Sequence, residues 1–462
     1  MQKVVNHMYK LALCVSVALT LSACAQSPNA TATLSSQVQS TQTTAQANYQ
    51  APAWLEASVA EVYPEAVKIR HYLHQHPELG CQEVKTQAYI ADFLQQQGIE
   101  VIKGTEHAPT AVIGVLNPGK GHAIGIRADI DALPIKENTG LPYASTVKGM
   151  FFGREADVSH MCGHDAHMAM LLAAAKVMAA HKDDIARTVV FLFQPAEEGD
   201  SRVNPYDLPA GQLAGANAMV QDGVLERFGI EKVFGIHVMA RQPAGKMLIA
   251  KGPALNSVDD FRVQIQGEQA HGAMPWTGVD ATLTAAAAVV NLQQIVSRNI
   301  PLNSGMGVIT VGRLQAGETS NVMAGSAEFE GTIRSNNAQI RSMLLQRIPE
   351  VIAGTAAAYG AKAQTRILEI YPVTVNDPDL ATATVAQLQD FGVDAQLSQW
   401  NPGASEDFSF FAQKVPGVFM FLGVDKPGSS NAANNHSDKF VIDDTALKAG
   451  ITAHVAVALS PL

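Results

Sequence analysis

The sequence predicts an α/β protein: a doubly wound, largely parallel sheet with a smaller ferredoxin-like domain inserted into it. Three observations carry this. Continuous apolar runs of strand length occur at 122–127, 188–193, 232–238 and 417–424, each ending in polar residues. Such runs, separated by helical patterns, mark strands buried on both faces of a parallel sheet. The segment between them changes character and reads β-α-β-β-α-β, a complete ferredoxin-like order inside one insertion. Finally, 462 residues suffice for two or three domains, at roughly 150 residues each.

Composition narrows the class. Hydrophobic residues make up 47% and charged residues only 16%, against roughly 25% charged in an average soluble protein. Lys plus Arg is 32, Asp plus Glu is 42, and no block of like charge occurs. Nucleic acid is therefore excluded as the main partner, because phosphate binding needs clustered Lys and Arg. With two of the four cysteines inside the first 24 residues, no disulfide scaffold can form. No internal stretch approaches the roughly 18 apolar residues of a membrane span.

Taken in order, the chain opens with Lys3 and Lys10 around a short apolar run over 11–23. This reads as a secretory signal peptide, too short to span a bilayer. It ends Leu21-Ser22-Ala23-Cys24, which resembles the bacterial lipoprotein signal, with Cys24 lipidated and residues 1–23 removed. Ordinary cleavage near Ala23 or Ala25 is the other reading. Residues 24–53 follow as a polar, disordered tether, and the folded part starts near Trp54. Export to the cell envelope, with the membrane touched through the lipid anchor only, is the expectation. Helices are predicted over 59–75 and 84–97, the second stopped by Gly98. An Ala-rich helix at 166–180 lies between the first two apolar strands. In the insertion, strands at 260–266, 307–314, 328–333 and 363–370 alternate with helices at 280–297 and 339–359. The domains are thus 54–253 and 370–462 for the large sheet, and 254–369 for the lid.

In open α/β sheets ligands bind beyond the carboxyl ends of the strands. Here those ends carry Arg127-Ala128-Asp129-Ile130-Asp131, Gln194-Pro195-Ala196-Glu197-Glu198-Gly199, Gly235-Ile236-His237 and Asn434-Asn435-His436-Ser437-Asp438. His160-Met161-Cys162-Gly163-His164-Asp165-Ala166-His167 stands directly before the Ala-rich helix. Each has a plain alternative on its own. His237 could be a hydrogen-bonded core residue, Asp165 a helix cap, Glu197-Glu198 a solvated loop and Cys162 a structural thiol. Together they place Cys, His, Glu, His and His where one sheet would gather them, which points to a metal centre. Cys162 and His164 are two residues apart and cannot share a helix face, but a loop can aim both at one point.

From about residue 60 to the end, the chain resembles the aminoacylase and carboxypeptidase-G type of dinuclear metallopeptidases. It is most similar to their amidohydrolase branch, which includes hippurate hydrolases and indole-acetyl-amino-acid hydrolases. The carrying segments are 70–79, 127–134, 161–167, 194–199, 235–238, Ala270-His271-Gly272-Ala273-Met274-Pro275, Ser405-Glu406-Asp407-Phe408 and 436–438, in the family's order. The resemblance implies Cys162, His164, Glu198, His237 and His436 as ligands of two divalent ions. It makes Glu197 the general base and Asp131 a carboxylate orienting a ligand. His271 in the lid would stabilise the oxyanion, in some relatives across a dimer, and Asn321 and Arg334 would bind the substrate carboxylate. Two segments depart from the family pattern, near 150–158 and 200–214, and both are expected around the site mouth.

The implied chemistry is amide hydrolysis. Two ions about 3.5–4 Å apart can share a water, lower its pKa toward 7 and polarise the carbonyl. Carboxylate, imidazole and thiolate ligands suit Zn²⁺ or Mn²⁺. The expected substrate is an N-acyl amino acid, split into a carboxylic acid and a free amino acid, with a homodimer formed through the lid. The alternative is a dipeptidase or carboxypeptidase on the same site. A binding lipoprotein that kept the fold without catalysis is disfavoured by the intact base and ligand set.

Overall fold

The computed structural model describes residues 50–207, 214–301, 303–429 and 432–460. The expected signal peptide at 1–23, Cys24 and nearly all of the tether at 24–53 lie outside the described residues, as do 208–213 of the second departing segment. The strands used below are β1 (Glu100–Lys103), β2 (Val112–Leu116), β3 (Ala123–Asp129), β4 (Thr188–Gln194), β5 (Ile230–Pro243) and β6 (Lys246–Ala250). They continue as β7 (Ser257–Gln266), β8 (Gly307–Ala316), β9 (Ser326–Ser335), β10 (Lys362–Tyr371), β11 (Asp394–Ser398) and β12 (Gly417–Asp425). The helices are α1 (Leu55–Gln75), α2 (Val84–Gln96), α3 (His164–Ala180), α4 (Ala281–Arg298), α5 (Ala338–Ala358), α6 (Pro378–Asp390) and α7 (Leu447–Leu459).

The large sheet has the order β1-β2-β4-β3-β5-β12-β6-β11. Its centre, β4-β3-β5-β12, is parallel throughout, so four carboxyl ends open on one edge. β2, β3, β4 and β12 are buried along their whole length, because both faces are covered. On one face α3 packs between α1 and α7, and its alanines at 169, 173, 174 and 175 are fully enclosed. The other face packs on Phe408, Phe411, Phe419 and Phe421. Each such ring contributes about 1.5–3 kcal/mol by its burial.

Four strands of this sheet escape the sequence pattern. β1 and β11 are short and partly exposed, so they show no usable period. β2 and β6 are short apolar runs that periodicity alone cannot tell from a buried helical turn. β1 and β2 run antiparallel to their neighbours, and so does β6 against β12, which makes the sheet mixed at both flanks.

The lid follows the order β7-α4-β8-β9-α5-β10, folded as an antiparallel sheet β8-β9-β7-β10. Phe261, Val263, Ile265, Phe329 and Ile333 face Leu292 and Ile295 of α4 and Leu344, Ile348 and Ile352 of α5. Asp280 caps α4 and Asn337 caps α5 through their side-chain oxygens, each contributing about 1 kcal/mol. The second departing segment touches the lid, with Tyr206 against the Arg262 guanidinium at 4.3 Å.

Candidate metal centre

The turn into α3 builds the heart of the site. Gly163 has φ +105°, and a Cβ there would lie 2.3 Å from Val238 Cγ2. Only glycine tolerates both constraints. The resulting bend lets Cys162 and His164 face one centre although they are two residues apart. The ligand atoms of Cys162, His164 and His237 lie within 4.8 Å of one another, as do those of Cys162, Glu198 and His436. Cys162 belongs to both groups. Its Sγ stands 3.3 Å from His237 Nε2 and 3.2 Å from His436 Nε2, and Glu198 Oε1 is 3.2 Å from the same His436 nitrogen.

Hydrogen bonds set the imidazoles for ligation. His237 Nδ1 faces the Val238 carbonyl at 2.8 Å and His164 Nδ1 faces the Asp131 carbonyl at 2.8 Å. A carbonyl only accepts, so each Nδ1 carries a proton and each Nε2 is the nitrogen turned to the centre, able to ligate once it gives up any proton of its own. His164 Nε2 is buried without a hydrogen-bond partner. An orphaned nitrogen beside a thiol, an imidazole and two carboxylates fits a divalent cation. Asp131 also accepts the Glu198 N–H on Oδ2 at 2.9 Å, so it steadies two of the expected ligands. His436 has φ +67°, a strained conformation costing on the order of 1–3 kcal/mol. Asn435 holds it there, donating to the carbonyls of Cys162 and Val238 at 2.9 and 3.0 Å and accepting from the Ala240 N–H.

The electrostatics favour cations. Burial raises the Cys162 thiol, and Glu198, Glu197 and Asp129 raise it further. Burial disfavours a charged His164, yet Asp129 and Asp131 outweigh it and push the imidazole up to about 10. Burial, then Glu406, Glu198 and Asp407, lifts the Glu197 carboxyl well above the usual range. Glu197 Oε2 lies 3.9 Å from His164 Nε2. It therefore sits beside the ligand groups as a carboxylate inclined to hold a proton, which suits a general base that later acts as an acid.

A buried platform behind Glu197 was not assigned from sequence. Arg127 is 1% exposed and donates to Gln194 and Asp129 at 2.8 and 2.7 Å, and to Glu406 and Asp407 at 2.7 and 2.9 Å. Asp129 in turn receives His167 Nδ1 at 2.5 Å, and His167 Nε2 accepts the Val238 N–H at 2.8 Å. The available signal was an arginine inside an otherwise apolar strand, since a buried charge requires partners. Tyr371, the last residue of β10, donates its hydroxyl to the Glu197 carbonyl and so ties the lid's exit strand to the site.

The lid residues divide. Val258 is flanked by Arg334 on β9 and by Tyr371 on β10, so Arg334 stands at the end of the lid nearest the cluster. It donates to Thr332 and to the Ile333 carbonyl, and of the acidic groups around it Asp260 acts on it most strongly. His271 and Asn321 adjoin each other, with Val322 opposite His271 and the Gly272 N–H on the Asn321 carbonyl at 2.8 Å. They lie past the other end of the β7–β9 ladder, beyond Gln266 and Ser326. The eight steps from Val258 to Gln266 span about 27 Å at about 3.4 Å per residue. Within one chain, therefore, His271 and Asn321 are not brought to the cluster. A cavity of ≈ 1230 Å³ lies at their end of the lid, lined by Gln266, Gln269, Thr319 and Val322. The first departing segment is a hairpin, Lys148–Phe151 with Arg154–Asp157, whose Phe152 N–H donates to the Ser201 carbonyl at 2.9 Å. The two departing segments thus meet three residues from Glu198.

This chain is similar to several known proteins over most of its length. It is 33% identical to thermostable carboxypeptidase 1 of Saccharolobus solfataricus, over 88% of this chain and 97% of that one. It is 36% identical to N-acetyl-L-cysteine deacetylase of Bacillus subtilis, over 83% and 85% respectively. Among solved structures, the YXEP protein of Bacillus subtilis, a dinuclear metal binding peptidase, superposes with a TM-score of 0.70 at 30% identity, covering 87% of this chain and 98% of that one. The family model for peptidase family M20/M25/M40 matches residues 125–460. The chain belongs to that family, and its Cys, His and Glu side chains form groups that could hold a metal ion.

Proposed function

We propose that this hydrolase cuts the amide bond of N-acyl amino acids, releasing a carboxylic acid and a free amino acid. The carrying observation is the pair of ligand groups sharing Cys162, with Glu197 beside them. Cys162, His164 and His237 would hold one divalent ion, and Cys162, Glu198 and His436 the other, with Zn²⁺ or Mn²⁺ suited to the donors. When bound, the ions supply Lewis acidity for the scissile carbonyl and for water. Glu197 takes a proton from the attacking water on its carboxylate and delivers it to the leaving nitrogen. Asp131 fixes the His164 ring and the Glu198 backbone. Arg334 binds the α-carboxylate with its planar fork, while His271 donates to the developing oxyanion and Asn321 helps hold the carboxylate. The roughly 27 Å along the lid supports a homodimer in which the second copy presents His271 and Asn321 to this site.

The acyl-amino-acid reading is supported by the deacetylase relative, and the carboxypeptidase relative keeps peptide hydrolysis as the second reading. Metal content and hydrolysis of an acyl amino acid against a dipeptide, with and without chelator, decide between them. Faster turnover of the dipeptide refutes the first reading, and chelator-resistant turnover refutes both. We also place the protein at the cell envelope on a lipid at Cys24. Cys24→Ser should release it from membranes with activity intact, and equal membrane association of mutant and wild type refutes the anchor.

A further inference from the structure

One buried carboxylate near the site has no part in this chemistry. Glu83, at the start of α2, is fully enclosed. Its Oε2 accepts from the Thr110 hydroxyl at 2.8 Å, and its Oε1 accepts the N–H of Ala196 at 2.8 Å. Ala196 immediately precedes Glu197. Its φ is +53°, in the left-handed region that a Cβ disfavours. A non-glycine residue stays there only where its surroundings over-determine it.

The surroundings of this loop can be named. The Gly199 N–H closes on the Ala196 carbonyl at 3.2 Å, the Glu198 N–H is held by Asp131, and the Glu197 carbonyl by Tyr371. These fix the loop from Ala196 onward. The entry to the turn, the Ala196 N–H, is held by Glu83. The segment bearing Glu83 is pressed against the loop, since a Cβ on Gly80 would stand 2.2 Å from the Gly199 carbonyl oxygen. Ser201 also donates its N–H and its hydroxyl to the Gly80 carbonyl, at 3.2 and 2.6 Å. Glu83 is closed off from solvent, so without it a buried N–H would be left unsatisfied and the loop free to relax.

We propose that Glu83 is a positioning residue: by holding the left-handed turn at Ala196 it aims the Glu197 carboxylate at the reacting centre. The inference rests on the reading of Glu197 as base. Glu83 acts through Ala196 alone, and its task needs an acceptor at the right reach rather than a charge. Glutamine keeps both, accepting from Ala196 and donating to Thr110. Aspartate keeps the carboxyl group and falls short by one methylene, about 1.5 Å.

The experiment uses the metal-loaded, full-length enzyme with an acyl amino acid as substrate. It compares Glu83→Gln and Glu83→Asp, each alone and combined with Ala196→Gly, and takes Glu197→Gln as the reference. Glu83→Asp should lower kcat roughly 10–100-fold with KM and bound metal within about twofold, as small misplacements of a catalytic group do. Glu83→Gln should stay within about fivefold of wild type. Glycine adopts the turn unaided, so in the Ala196→Gly background Glu83→Asp should cost less than about threefold. Equal damage from Gln and Asp, a loss carried by KM or metal, or the same cost in both backgrounds overturns the proposal. A Glu83→Asp protein that folds only with Ala196→Gly supports it, and one that folds in neither background overturns it. If Glu197→Gln itself keeps full turnover, the base reading fails first and takes this inference with it.

Discussion

Around Glu197 the backbone is held by residues from distant parts of the chain, whereas around His271 the hydrogen bonds come from within the lid. The peptides from Ala196 to Glu198 meet Glu83, Tyr371 and Asp131, and the carboxylate platform on Arg127 lies behind them. His271 is exposed, opposes Val322 in a two-residue strand, and accepts the Ala273 N–H on its own Nδ1. The difference separates two ways of building a site. The groups proposed to bind ions and move protons are pre-organised by burial, which strengthens every electrostatic contact and leaves little to rearrange. The groups proposed to meet the substrate from the lid are left on a surface, and their order must come from what docks there.

Breaking the pre-organised side should have the largest effect. Glu197→Gln should cost on the order of 10²–10⁴ in turnover while folding and metal content stay nearly unchanged. Glu198→Gln should instead lower metal occupancy, read by elemental analysis, and the reverse pattern would exchange the two roles. On the lid side, His271→Ala should cost about 10²–10³ in kcat, equally for a substrate with a free α-carboxylate and for its amidated analogue. Arg334→Ala should cost roughly 2–4 kcal/mol in kcat/KM on the acid and little on the amide. Uniform loss would return Arg334 to a structural role at the end of β9.

The comparison sharpens when the two sides are placed on different chains. Mixing Glu197→Gln with His271→Ala, after subunit exchange, should restore about a quarter of wild-type activity if His271 serves the other copy. Half the dimers are then mixed, and each holds one complete site. No recovery would mean that His271 reaches its own site by lid movement. The smallest effect concerns the floor beneath α3, where His74 binds Asp165 at 2.9 Å and Glu137 at 3.1 Å. Burial opposes its charge, but Asp165 and Glu137 prevail and push its pKa up to about 9. Its stabilisation is therefore complete below an unfolded pKa of about 6.5 and is lost as pH rises to about 9, on the order of 1–3 kcal/mol. Denaturant midpoints at pH 6 and 9 should differ by less in His74→Gln than in wild type.

By itself the sequence determined the layered architecture and the candidate ligands. Strands buried on both faces must be continuously apolar, and the lid's β-α-β-β-α-β order follows from alternating periods of two and 3.6. Lid strands expected at 260–266 and 363–370 are observed at Ser257–Gln266 and Lys362–Tyr371. That Cys, His and Glu side chains would gather was legible because parallel strands place their polar ends on one edge. The choice of Cys162, His164, Glu198, His237 and His436 as ligands, and of Glu198 over Glu197, came from the family resemblance. Tertiary structure alone decided which nitrogen of each imidazole faces the centre, that Cys162 stands in both candidate ligand groups, and that Arg127, Glu406 and Asp407 lie behind Glu197. It also decided that Glu83 meets Ala196 and that His271 lies far along the lid from its own cluster. These are matters of register and of contact between segments up to hundreds of residues apart. Local periodicity records which face of an element is buried, and carries no information about what that face meets.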